Sequence, residues 1–151
     1  KTGRPGPVWL DIPINVQSAI NSLIRYRVFW FRLGINKVDF DEISSIIAQS
    51  KNPVILAGNG IRLANAIPEF FELVDKLNVP VLVTWKAIDI YTNDQKLFRG
   101  RPGIIGSKFA NSLQQQSDLI ICIGARLDLG QIAYNQKNFG YNSKKIVVDI
   151  D

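Results

Sequence analysis

The sequence predicts an α/β domain, a parallel sheet with helices on both faces. Three observations lead there. Short apolar runs of strand length, at residues 54–57, 81–84 and 119–123, show no 3.6-residue period, which suits strands buried on both faces. Stretches with helical spacing of apolar residues separate these runs, and strand–helix alternation builds parallel sheets. The run at 119–123 breaks at Gly124 into G-A-R-L-D, and the crevice just past the carboxyl ends of such strands is where open α/β sheets bind ligands.

A chain of 151 residues, 46% hydrophobic and 21% charged, is long enough for one globular domain with a real core. Residue 1 is Lys rather than Met, so a fragment or a processed product is expected. There is no histidine and only one cysteine, Cys122. Ser-His-Asp and Cys-His nucleophile pairs are therefore excluded, and so are the common His-containing zinc sites. Cys122 lies between Ile121 and Ile123, the setting of an inert buried thiol. No run approaches the ~20 apolar residues needed to span a bilayer, and no signal peptide is visible; a cytoplasmic location without membrane partners is expected. The net charge of +5 is compatible with an anionic partner, yet no block of five like charges occurs, and an evenly solvated surface accounts for it equally.

In chain order, residues 8–12 suit one short strand closed by Pro13. Residues 18–37 interleave Arg25, Arg27 and Arg32 with Tyr26, Phe29, Trp30 and Phe31. Such a pattern suits a linker packing its aromatics on a neighbouring domain; stacking on single-stranded nucleic acid, a membrane surface and an oligomer contact compete with it. Asp39 and Glu42 resemble a capping box for a helix to about Ser50, with Phe40, Ile43, Ile46 and Ile47 as its apolar stripe. After the strand at 54–57 comes Gly58-Asn59-Gly60, then a helix with the stripe Ile67, Phe70, Phe71, Val74 and Leu77. Pro68 requires that helix to start near Asn65. Residues 81–84 form a strand, 86–106 mostly loop, and 107–116 a short helix with Phe109, Ala110 and Leu113 inward. Residues 129–145 are polar and irregular, and 146–150 form a last strand.

The candidate binding residues all follow strands. Gly58, Asn59 and Gly60 suit close approach of backbone to a phosphate or an adenine-ribose unit. A tight turn without ligand is the alternative, because Leu63 stands where the dinucleotide fingerprint has its third glycine. Arg126 offers a planar fork to a phosphate or carboxylate, with Asp128 to orient it or to accept a ribose hydroxyl; a surface ion pair is the competing account. Thr84 and Lys86 stand at the end of the third strand, and Asp149 ends the last one.

These residues also carry a family resemblance. G-R-P-G-P-V-W-L-D-I-P at the start resembles the end of the first domain of thiamine-diphosphate enzymes of the acetolactate synthase group. The ordered set P-V-I-L-A-G-N-G, P-V-L-V-T, G-I-I-G-S-K-F-A-N, S-D-L-I-I-C-I-G-A-R-L-D and I-V-V-D-I-D resembles that group's central domain. The resemblance implies a three-layer, Rossmann-like parallel sheet of about six strands over residues 38–151, with residues 1–37 ending the preceding domain and serving as linker. It implies a parent transferase or lyase acting on a 2-oxo acid, by decarboxylation or carboligation. Thiamine diphosphate and Mg2+ would then be held by other domains, through a glutamate in the first and a G-D-G…N-N motif in the third. No G-D-G occurs among these 151 residues, so they are not expected to be active by themselves.

In the acetolactate synthases the central domain holds FAD in a structural role; in some decarboxylases it holds ADP or nothing. The family's flavin-contacting pattern is roughly G-A-R-F-D-D-R. Gly124, Ala125, Arg126 and Asp128 match it, whereas Leu129 and Gly130 replace the second Asp and Arg. The expected cofactor-binding set is Gly58, Asn59, Gly60, Thr84, Lys86, Gly124, Arg126, Asp128 and Asp149, with no catalytic or metal-binding residue. Other domains of the same protein and a homo-oligomer are the implied partners. The alternatives are a stand-alone nucleotide-binding module without catalysis, and nucleic-acid binding through the segment from Arg25 to Arg32.

Overall fold

The computed structural model describes residues 39–149. The strand expected at 8–12, the Arg-aromatic segment at 18–37 and the last two residues lie outside that range. Helix α1 (Phe40–Gln49) starts where Asp39 Oδ1 accepts the amides of Asp41 at 3.1 Å and Glu42 at 3.0 Å, a side-chain N-cap. Strand β1 (Pro53–Ala57) follows, then a single turn α2 (Gly60–Leu63) and helix α3 (Ile67–Leu77). Pro68 is tolerated as the second residue of α3, where its missing N–H has no intrahelical partner to lose. Asn78 ends the helix in the left-handed region at φ 52°.

Strand β2 (Val81–Val83) leads into a 3-10 turn, Trp85–Ala87. Helix α4 (Lys108–Gln116), capped by Ser107 Oγ, precedes β3 (Leu119–Ile123), and β4 (Lys144–Val148) closes the described residues. All pairings are parallel, in the order β2-β1-β3-β4. The chain moves outward from β1 to β2 and then crosses back to β3 on the other side. That reversal makes the β1/β3 boundary the topological switch point.

The alternation of side chains along each strand divides the core into two layers. Ile55, Ala57, Val81, Val83, Leu119 and Ile121 face one way, against Phe70 and Val74 of α3 with Ile46 and Ile47 of α1 packed on them. Val54, Leu56, Leu82, Ile120 and Cys122 face the other, against Ala110 and Leu113 of α4 and against Ile132 and Phe139. The three-layer α/β architecture is thus present, with four strands among the described residues where about six were expected. No helix among them is long and apolar enough to cross a membrane.

Several expectations are corrected. Phe40 is 73% exposed and Phe109 62%. Phe40 opens α1, whose half-buried residues come later, at Ile43, Ile46 and Ile47. Phe109 lies on the outer side of α4, where the inward places go to Ala110 and Gln114, four residues apart, with Leu113 packed beside them. Strand β2 stops at Val83, and β4 spans Lys144–Val148 rather than 146–150. Its lysines are tolerated because β4 is, among the described residues, the last strand on its side and largely exposed. The segment expected to be loop contains a partial strand. Leu97 O accepts from Val81 N, Arg99 N donates to Val81 O and Val83 N donates to Gly100 O, so residues 97–100 run parallel along the outer side of β2. No helix covers the connection from β3 to β4; Ile132 and Phe139 in a turn-rich segment take its place.

Candidate functional site

Gly58, Thr84, Gly124 and Asp149 each follow the last residue of a strand. The ladder that pairs Ala57 with Val83 and Ile123, and Ile123 with Val148, places all four on one sheet edge. Ladder bonds carry on past the strand ends: Thr84 N donates to Ala57 O at 2.9 Å, Gly58 N to Ile123 O at 2.9 Å and Gly124 N to Val148 O at 2.7 Å.

At the switch point the β1 and β3 loops touch backbone to backbone. Gly60 N donates to Gly124 O at 3.0 Å. A Cβ on Gly58 would lie 2.1 Å from Gly124 O, and one on Gly124, itself at φ +57°, would lie 2.6 Å from Gly60 Cα. Glycine is required here by that contact. The amides of Gly58, Gly60 and Ile61 are all spent on the protein itself. The turn is therefore not a nest of open donors: its glycines serve the close approach of the two loops.

Past Gly124 the chain makes an unusual turn. Arg126 and Leu127 both adopt left-handed φ values, 57° and 52°, which cost about 1–3 kcal/mol each for residues with a Cβ. The Asp149 carboxylate holds this turn by accepting Arg126 N at 3.0 Å, and Leu127 N donates to Ala125 O at 2.7 Å. Asp128 Oδ1 accepts Gln131 N, three residues on, at 3.0 Å, a local side-chain cap on the backbone. Arg126 and Asp128 are therefore neighbours in sequence whose side chains do not form an ion pair. Among the described residues the Arg126 guanidinium and the Lys86 ammonium have no hydrogen-bonding or ionic partner. They follow β3 and β2, on either side of the central β1 turn.

Among the described residues this edge holds the ion pair Arg62–Asp89, which the sequence did not suggest. Arg62 Nη2 lies 2.5 Å from Asp89 Oδ1, and Nη1 donates to Asn59 Oδ1 at 2.6 Å and to Lys86 O at 3.4 Å. The hydrogen bond from Arg62 holds the Asp89 carboxyl below the usual carboxylate range. A cation two residues after a glycine turn was visible; its partner, 27 residues on, was not.

The rim is built by a second contact. Gly103 N donates to Asn111 Oδ1 at 2.9 Å and Asn111 Nδ2 to Gly103 O at 3.0 Å. Ile104 N donates to Gly130 O at 3.0 Å. The G-I-I-G segment thus packs against Gly130, where the resembling family has its second arginine, and leaves Ile104 and Ile105 exposed beside it. No group of three His, Cys, Asp or Glu capable of holding a metal occurs among the described residues.

The opposite edge differs in charge character. It holds a concavity of about 450 Å³ lined by Lys51, Pro53, Asn78, Pro80, Leu113 and Gln116 among others. Helices α1, α3 and α4 all end there, and helix carboxyl termini disfavour anions. Asp118 ties this edge together by accepting Ser50 Oγ, Lys51 N at 2.7 Å and Asn52 N at 3.0 Å.

Fold and glycine contact define an open parallel α/β domain with its topological switch point at the carboxyl edge. The family described as "Thiamine pyrophosphate enzyme, central domain" matches residues 40–151, and the chain belongs to that family. Among curated relatives, it is 34% identical to the probable acetolactate synthase large subunit of Methanococcus aeolicus, over 100% of this chain and 26% of that protein. It is 31% identical to acetolactate synthase isozyme 2 large subunit of Escherichia coli K12, over 99% of this chain and 27% of that protein. With the Corynebacterium glutamicum large subunit the identity is 31%, over 99% and 25%. The chain spans about a quarter of the length of these relatives.

Proposed function

We propose that this chain serves as the central domain of an acetolactate synthase-like enzyme that uses thiamine diphosphate and Mg2+ to decarboxylate or join 2-oxo acids. Thiamine diphosphate and the metal would be held by the other domains of that protein, in a cytoplasmic homo-oligomer. Residues 1–37 then end the preceding domain and 38–151 form the central one. The relatives named above are large subunits of acetolactate synthases, and this likeness supports the reading.

Within the domain, the carboxyl edge is proposed to receive the diphosphate of an adenine nucleotide, FAD or ADP. One observation carries this: the β1/β3 switch point, where two glycine turns meet backbone to backbone, is flanked by two cations, Lys86 and Arg126, without partners among the described residues. Gly58, Asn59, Gly60, Thr84 and Gly124 would shape the floor, Arg126 and Lys86 would neutralise phosphate charge, and Asp128 would meet a ribose hydroxyl. Asp149 would act by holding the Arg126 turn. When bound, FAD would supply a structural anchor here. Calorimetric titration of FAD and of ADP tests the site. Binding by the wild type that Arg126→Ala weakens at least ~10-fold, the loss of a charge-assisted contact, supports it; unchanged affinity in the variant overturns the assignment.

A further inference from the structure

We propose that Arg62 is a positioning residue of this crevice. It clamps the β1 loop to the β2 loop and, by occupying Asp89, keeps the Lys86 ammonium available to an anionic ligand. The second half rests on the nucleotide reading above; the first does not.

The clamp has a clear geometry. One planar guanidinium reaches acceptors on both loops: Asn59 Oδ1 on its own side, and Lys86 O and Asp89 Oδ1 across the gap. A four-residue helix such as α2 is not self-supporting, and Asn59 gives it no side-chain cap because its oxygen is turned to Arg62. Since arginine only donates, Asn59 must present its oxygen to it. That leaves the amide NH2 as the group Asn59 offers a ligand, a donor suited to phosphate oxygens.

The effect on charge follows from the spacing of Lys86 and Asp89. Ala87 N donates to Thr84 O and Ile90 N to Ala87 O, so the chain from Thr84 to Ile90 keeps a 3-10-like course. Residues three apart on such a turn lie above one another, which puts Lys86 and Asp89 on the same side. Without Arg62, Asp89 would take Lys86 as its partner. Arg62 prevents that exchange. Arg62 is 38% exposed and Asp89 70% by side chain, so the pair contributes little to global stability; its effect is local.

The test uses the full chain and ADP as probe. Amide hydrogen exchange is measured in wild type, Arg62→Ala and Asp89→Asn, with β3 as the internal reference. The clamp predicts exchange roughly three- to five-fold faster across residues 84–90 in both variants, as a weak exposed contact allows, and unchanged in β3. Equal exchange at 84–90 in all three proteins overturns the clamp. Calorimetry with ADP then separates charge from scaffold. Arg62→Ala is expected to weaken binding, and adding Asp89→Asn to it should recover part of the lost affinity while the loop stays fast-exchanging, because Lys86 is released although Asn59 is no longer oriented. If the double variant binds as poorly as the single one, the charge role is wrong. If wild type binds no ADP, the nucleotide reading fails and takes the Lys86 role with it, while the exchange result still decides the clamp.

Discussion

At the scale of single residues, the glycines of the site are fixed by contact rather than by ligand. Gly58→Ala forces a methyl into Gly124 O and Ala125 Cα. Overpacking of this kind costs about 1–3 kcal/mol, so a lowered urea midpoint at unchanged slope is expected, and an unchanged midpoint would contradict the contact. Asp118 gives a pH prediction. The Ser50 hydroxyl first, and the Lys51 amide next, lower its carboxyl below the ordinary aspartate value. A depressed folded pKa stabilises the fold above the unfolded value near ~3.9. That stability disappears as pH falls through the lower folded value. Denaturation curves from pH 6 to pH 2 should therefore lose part of their acid dependence in Asp118→Asn. The strand-end residues of the site were legible in the sequence because each follows an apolar run. Arg62 was not, because its meaning depends on a partner that only the fold brings near.

At the scale of elements, β1, β2 and β3 were legible because burial on both faces leaves no polar position within them, whereas the largely exposed β4, which opens on two lysines, was read late. Strand β3 was read to the residue. The helices were read less well: a stripe does not tell how far along a helix the sheet extends, and Phe40 falls outside, while in α4 the inward face belongs to Ala110 and not to its neighbour Phe109. The partial strand at 97–100 was illegible, since only its backbone pairs with β2 and its side chains carry no alternation. The packing predicts a sharp contrast between positions. Leu56 is fully buried in the centre of the sheet and Val147 is 54% exposed on β4. Leu56→Ala should lose about 2–5 kcal/mol by chemical denaturation, and Val147→Ala under ~1 kcal/mol.

At the scale of the whole molecule, alternation of elements was enough to foresee a parallel sheet, but not the order β2-β1-β3-β4. That order depends on which side of β1 the chain returns to, and nothing local in the sequence specifies it. Yet the order is what gives the carboxyl edge its meaning, by placing the Gly58–Gly124 contact at the point where the chain reverses. Helix directions reinforce it, with carboxyl termini gathered at the other edge. Amide chemical-shift mapping of the 15N-labelled chain during titration with ADP tests this most directly. Shifts are expected to concentrate at residues 58–60, 84–86 and 124–128, with little change at Lys51, Asn78 and Gln116. Shifts centred on those amino-edge residues, or no shifts at saturating ADP, would contradict it.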